Sequence, residues 1–166
     1  MSAIDIGPEA INRGTSKVAA GKTIICLDNP ANDSGIITDV EIWAQTTVDS
    51  MTIAIFSGGG GAGEYTARSS AVLGEIVAGT KKSFSGLNLA VETGDYIGCY
   101  CTTGKHEIDE SGFAGILEFT GDGTGGAETY TLDAGDAISI KGTPLLMCQH
   151  IPQVTQFQPR TIMVDR

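Results

Sequence analysis

Positive charge is scarce in this chain. Ten Lys and Arg stand against twenty Asp and Glu in 166 residues, a net charge of -10. A field of that sign repels phosphate backbones and anionic lipid heads, so neither nucleic acid nor a membrane is an expected partner. Long apolar runs are lacking too: "GIITDVEIWA" is broken by Asp39 and Glu41, far short of the roughly 20 apolar residues of a spanning helix. The first residues, "MSAIDIGPEAINRGTS", have no basic stretch followed by an apolar one, which sets the expectation of a soluble chain made in a cytoplasm. Catalytic signatures are missing as well. There is no Gly-x-Ser-x-Gly elbow and no His-Glu-x-x-His pair, and the two histidines, His106 and His150, stand far apart. Neither an enzyme nor a cofactor is expected.

Helical periodicity is also nearly absent. Apolar residues recur at spacing two or in short β-branched runs, each closed by Gly, Asp or Asn, and 23 glycines supply many tight turns. The expected strands are Thr23 to Leu27, Ile36 to Gln45, Thr52 to Phe56, Glu75 to Val77, Ser83 to Val91, Tyr96 to Cys101, Gly115 to Phe119, Thr129 to Leu132 and Ala137 to Ile140. Strands of this number and length fit an all-β, two-sheet β-sandwich, jelly-roll-like in plan, with extended terminal arms. The chain divides into an N-terminal arm and first edge segment (1–22), a sandwich domain (23–143) and a proline-containing C-terminal arm (144–166).

The stretch "TGDYIGCYCTTGKH" carries the densest chemistry. On a strand Cys99 and Cys101 share one face at about 7 Å, two residues of ~3.3 Å rise, too far apart to bridge each other. Tyr96, Gly98 and Tyr100 take the other face. Buried thiols are the expected state, with His106 in a following loop. The weaker alternatives are a disulfide to Cys26 or Cys148, or a metal site drawing on His106, Cys148 and His150, whose spacings do not match the Cys-x2-Cys pairs of structural zinc sites. Gly94-Asp95 and Gly135-Asp136 fit turns in which Gly takes positive φ and Asp holds local amides. "FSGGGGAGEY" and "TGDGTGGAETY" lack the Lys-Ser or Lys-Thr ending of a phosphate loop and are expected as plain loops. Asp109, Glu110 and Asp122 raise a calcium reading that no EF-hand or repeat supports.

In "VEIWAQT", Val40, Ile42 and Ala44 alternate with Glu41, Trp43 and Gln45, which places Trp43 on the polar side of its strand. A tryptophan there is either covered by a neighbour or free to stack on a sugar. After "AISIKGT" the strand pattern stops. The residues that follow hold Pro144, Pro152 and Pro159 and no charge before Arg160, so no regular helix fits. Leu145, Leu146, Ile151, Val154, Phe157, Ile162 and Val164 need cover, either on their own domain or on a neighbouring subunit. These seven are the candidate subunit-interaction residues.

Four stretches, "DIGPEAINRGTS", "NPANDSGIITDVEIWAQT", "FSGLNLAVETGDYIGCY" and "YTLDAGDAISIKGT", together resemble a β-sandwich module found in proteins of phages and environmental bacteria; "NPAN", "VEIWA" and "GDYIG" are its most distinctive words. The resemblance covers roughly Asp5 to Thr143 and implies a setting, virions and surface assemblies, with no catalytic or binding positions to carry over. The expected function is that of a non-enzymatic virion structural protein, a phage head decoration or cement protein assembled in the host cytoplasm. Its expected partners are other copies of itself and a larger assembly, capsid or tail, bound through the arms. The alternative is a carbohydrate-binding module with Trp43, Tyr65 and Tyr100 as stacking residues. A metal-dependent enzyme built on the cysteines and histidines ranks last.

Overall fold

Strands form wherever β-branched residues run between glycine turns, and in a computed structural model describing residues 3–144 there is no helix among them. In chain order the strands are β1 (Thr15–Val18), β2 (Lys22–Cys26), β3 (Gly35–Ile37), β4 (Asp39–Trp43), β5 (Val48–Gly58), β6 (Gly63–Ile76) and β7 (Lys81–Phe84). They continue with β8 (Leu89–Val91), β9 (Tyr96–Cys101), β10 (Lys105–Asp109), β11 (Ile116–Thr120), β12 (Ala127–Asp133), β13 (Ala137–Ile138) and β14 (Ile140–Thr143). The protein is all-β with antiparallel sheets, as the alternation implies. The interaction candidates Leu145, Leu146, Ile151, Val154, Phe157, Ile162 and Val164, and also Cys148 and His150, lie outside the described residues.

Six strands hydrogen-bond into a closed ring in the order β2-β9-β5-β6-β12-β11. The interior of the ring is small and aromatic. Ile25, Ala54, Phe56, Tyr65, Leu117 and Tyr130 fill it, with Tyr96 and Phe119 at its margin. Tyr130 is met edge-on by Phe56 at 6.0 Å and by Tyr65 at 5.8 Å between ring centroids, the arrangement that sets positive ring edges against negative faces.

The outer face of the same strands supplies half of a second, larger core. Ile24 and Cys26 of β2, Ile53 and Ile55 of β5, and Ile97, Cys99 and Cys101 of β9 pack there against Val40 and Ile42 of β4, Ile108 of β10, Ile138 of β13 and Ile140 of β14. Each fully buried isoleucine contributes about 1.5–3 kcal/mol. The opposing layer is built from three small sheets, β1-β10-β13, β14-β4-β7 and β3-β8. The layers thus stack as in a sandwich, and one of them rolls into the ring.

A bulge makes the roll possible. Ile55 pairs with Ser69 but Phe56 with Ala67, so Arg68 is an extra residue on β6. Before it the odd-numbered Tyr65 and Ala67 point into the ring; after it Ala71 and Leu73 join the larger core. Arg68 is fixed by Asp95, with Nε donating to Oδ2 at 2.6 Å and an Nη to Oδ1 at 3.2 Å. Asp95 also accepts the Glu92 amide at 2.8 Å. The Gly94-Asp95 turn therefore has the expected form, with Gly94 at φ +90°, and Asp95 gains a second task in locking the bulge.

The structure divides some expected strands and adds others. Ile36 to Gln45 is two strands, β3 and β4, and Ser83 to Val91 covers the end of β7 and all of β8. The segment Glu75 to Val77 is only the end of the 14-residue β6. β10 was not expected at all, β1 falls in the expected N-terminal edge segment without having been given as a strand, and His106, expected in a loop, lies in β10. The tetraglycine stretch is a hairpin loop tied to the ring: the Tyr65 hydroxyl accepts the Gly60 amide at 2.7 Å and donates to the Gly61 carbonyl at 3.1 Å.

Gly98 tests the tightness of the ring. A Cβ there would stand 2.5 Å from Ile24 O and 2.9 Å from Ile25 Cα, backbone atoms held in the β2 ladder. We expect Gly98→Ala to cost about 1–3 kcal/mol through overpacking. Gly59→Ala, in open space at the loop, should stay within about 0.5 kcal/mol of the parent. Urea denaturation of both variants measures the contrast, and equal stabilities would mean that the ring is looser than described.

Candidate functional site

The segment before β1 has no regular secondary structure, yet it is anchored at both ends. Ile6 exchanges two backbone bonds with Gly142 of β14, at 3.2 and 2.8 Å, and its side chain is fully buried. At the other end Arg13, its side chain 2% exposed, enters the protein beside β10. Its Nη1 lies 2.5 Å from Asp109 Oδ2, Nε donates to Ser139 Oγ at 2.8 Å, and Nη2 donates to the Glu9 carbonyl at 2.8 Å. Its guanidinium lies over the Phe113 ring at 5.1 Å. Glu107 completes the clamp by accepting the amides of Arg13 and Gly14 at 3.1 and 3.0 Å. A buried guanidinium is tolerable only when most of its donors are taken, and here they are.

The clamped segment shapes the surface beside β14. Two depressions of about 430 and 420 Å³ lie on either side of Lys141 and Asp5, which line both. Ile4, Asn32, Thr143 and Pro144 wall the first; Pro8, Glu9, Ile11, Asp28 and Phe113 wall the second. Lys141 forms ion pairs with Glu9 and, at 3.4 Å, with Asp5. Those pairs raise its pKa, the Glu9 bond foremost, against the lowering effect of burial. Ile11 is 48% exposed, an isoleucine presented to solvent among carboxylates.

The thiols sit elsewhere, in the larger core. Cys26, Cys99 and Cys101 are free and buried. Burial pushes the pKa of Cys26 and Cys101 up to about 11 and that of Cys99 well above its usual value, so these sulfurs stay protonated and poorly nucleophilic. His106 Nε2 lies 3.3 Å from Cys99 Sγ, and burial pushes its pKa down to about 4. Among the described residues no group of three or more His, Cys, Asp or Glu is placed to hold a metal ion. Asp109 is engaged by Arg13, and Asp122 holds the amide and hydroxyl of Thr124 within its own turn, so Asp109, Glu110 and Asp122 form no common calcium cage.

A second charged cluster surrounds Lys17. Its Nζ pairs with Asp133, with Glu118 at 3.3 Å and with Asp136 at 3.4 Å. Burial would lower the Lys17 pKa, but the bond to Asp133 and the charge of Glu118 carry it above its usual value. A lysine so held is a fixed cation rather than a base, and it occupies the space another cation would need.

The three aromatic candidates for sugar stacking do not converge. Tyr65 is 1% exposed inside the ring, with the edges of Tyr96 and Tyr130 against it. Trp43 is half-buried on the outer face of β4, across from Lys81. Tyr100 is half-buried on the ring-side face of β9, so the larger core lies between it and Trp43. Arg13, Glu107 and Ser139 were not singled out from the sequence. The signals were present: Arg13 is a lone cation in a cation-poor stretch, and in "KHEID" His106 and Ile108 alternate with Lys105, Glu107 and Asp109. No protein-family model matches the chain, and no curated protein matches it.

Two measurements check this description. Replacing Arg13 by Met leaves Asp109 without its cation and Ser139 Oγ without its Nε donor, and should lower stability by about 2–4 kcal/mol in urea denaturation; no loss would mean the clamp is idle. His106 is neutral in the folded state and takes a proton more readily when unfolded. Its contribution is therefore fully present above the unfolded pKa of about 6.5 and is lost as pH falls toward the folded value of about 4, a decline of about 3 kcal/mol. His106→Gln should flatten that portion of the stability profile, and an unchanged profile would place the acid sensitivity elsewhere.

Proposed function

We propose that the protein is a non-enzymatic structural component of a large assembly, in the leading case a phage virion, where it acts as a head decoration or cement protein. In this reading it is made in the host cytoplasm, and its partners are other copies of itself and the particle, not nucleic acid or membrane. One observation carries the proposal. Strand β14 pairs with β4 on one side and takes Ile6 on the other, and then leads the chain through Thr143 to Pro144 beside an apolar depression. The most apolar and proline-marked part of the sequence comes next.

The buried polar groups support the same reading. Arg13, Glu107, Asp95 and Ser139 bind one another, their own turns or Arg68, so they brace the fold; Arg13 alone of the four also lines a depression, with its guanidinium already held by Asp109 and Ser139. Energetics assign the remaining segment to a partner. If half of its nine large apolar side chains between Leu145 and Val164 were buried at about 1.5–3 kcal/mol each, the gain would be roughly 7–13 kcal/mol. Ordering costs of about 1–2 kcal/mol per residue over the segment exceed that gain, so it does not order by itself. Added contacts from a neighbouring subunit tip such a balance toward binding.

A chain ending at Thr143 should keep the β-type circular dichroism and melt within a few degrees of the full chain. It should lose self-association by light scattering and lose binding to particles that lack the protein. A truncated chain that fails to fold, beside a full chain that is a stable monomer, would instead make residues 144–166 part of the domain and remove the proposal's support.

A further inference from the structure

We infer that the depression lined by Pro8, Ile11 and Phe113 together with Asp5, Glu9 and Asp28 is the receptor for the C-terminal segment, residues 145–166, of a second copy. This rests on the assembly reading above and adds where the segment binds. The N-terminal segment runs antiparallel to β14: Ile6 bonds to Gly142, and a Cβ at Gly7 would stand 2.6 Å from Ile140 O. Pro8, Glu9 and Ile11 therefore continue past the beginning of β14, while the chain leaves from its other end at Pro144. For a chain to fill its own depression, it would have to reverse just after Pro144. The next seven residues, "LLMCQHI", contain none of the Gly, Pro, Asn, Asp and Ser that favour tight reversals. A second copy's segment enters without that reversal.

Charge favours the same occupant. Three carboxylates, Asp5, Glu9 and Asp28, line the depression beside its apolar residues, and its two cations are already engaged, Lys141 with two of these carboxylates and Arg13 with Asp109. Most of a second copy is acidic and is repelled there. Residues 145–166 differ: they hold Arg160 and Arg166 against Asp165 alone, and no acid precedes that aspartate. They also carry the large apolar side chains that Ile11 and Phe113 would cover.

The test uses the full chain. Ile11, being 48% exposed, can be replaced without opening the core. Ile11→Glu should leave the melting point unchanged but weaken self-association by about tenfold or more in sedimentation velocity, the effect of placing a charge in the centre of an apolar contact. Val77→Glu, at a valine exposed elsewhere, should leave self-association unchanged. Next, a benzophenone side chain is placed at position 11 in an equal mixture of ¹⁴N- and ¹⁵N-labelled chains. Irradiation should give crosslinks between position 11 and residues 145–166 that join light to heavy protein. Crosslinks joining only chains of the same label would show a chain filling its own depression and overturn the inference. Crosslinks to any other segment would overturn it too. If Ile11→Glu associates normally while a chain ending at Thr143 does not, the depression is not the receptor and the assembly reading stands. If the chain ending at Thr143 still associates, the assembly reading falls and this inference with it.

Discussion

The structure depends on strands that must bury both of their faces. β2, β5 and β9 lie between the interior of the ring and the larger core, so each needs apolar residues at successive positions. "IIC" in β2 shows the consequence: Ile24 and Cys26 face one core and Ile25 the other. The two sides differ in room. The larger core takes isoleucines, whereas the ring has so little space where β9 lies between β2 and β5 that Gly98 stands against backbone. Two-sided burial also explains the cysteines. A strand with a cramped face and a packed face has use for small hydrophobes, and Cys99 and Cys101 fill the packed one.

How much of this was legible depended on whether a residue's environment is set by its neighbours in sequence or by distant partners. β2, β9 and β11 were legible because β-branched runs between turns specify them locally. β6 was not. Its sequence "GEYTARSSAVLGEI" has small and polar residues through its middle, and its length follows from pairing with β5 around the Arg68 bulge, which no short pattern reveals. β10 was hidden for another reason. Four of its five residues, Lys105, His106, Glu107 and Asp109, are polar, and two of these are buried only because Cys99 and the Arg13 and Gly14 amides meet them. Tyr65 reads as an exposed stacking residue in a glycine-rich loop region, but ring closure, a long-range event, puts it inside.

Polar groups divide along similar lines. In a chain with twice as many acids as bases, every cation is in demand, and Arg13, Lys17, Arg68 and Lys141 each serve two or more oxygen acceptors. They are placed where elements from different parts of the sequence meet: the N-terminal segment on β10 and on Ser139 between β13 and β14, β1 on β11 and β12, β6 on the turn before β9, and β14 on the N-terminal segment. Among the acids without a cation, Glu107 is buried on backbone amides instead. The fold thus uses its few cations as internal ties, which leaves the described surface short of positive charge for contacts with another molecule.

That shortage constrains how copies of the protein can meet. Two bodies with a large net negative charge repel over a Debye length of about 8 Å at physiological salt, and a contact between acidic faces would have to desolvate carboxylates without partners. Association is easier through a stretch that carries little charge and much apolar area, because burial is favourable there and repulsion is weakest. The sequence offers one such stretch at length, Leu145 to Pro159, which has no charged residue unless His150 is protonated. In this arrangement a repulsive body keeps copies apart except where that segment finds an apolar seat. Salt then acts in a definite direction: screening the body charges lowers the barrier to approach and leaves the apolar contact intact, so self-association that runs through the segment should strengthen with ionic strength. Association through the Lys and Arg ion pairs would weaken under the same change.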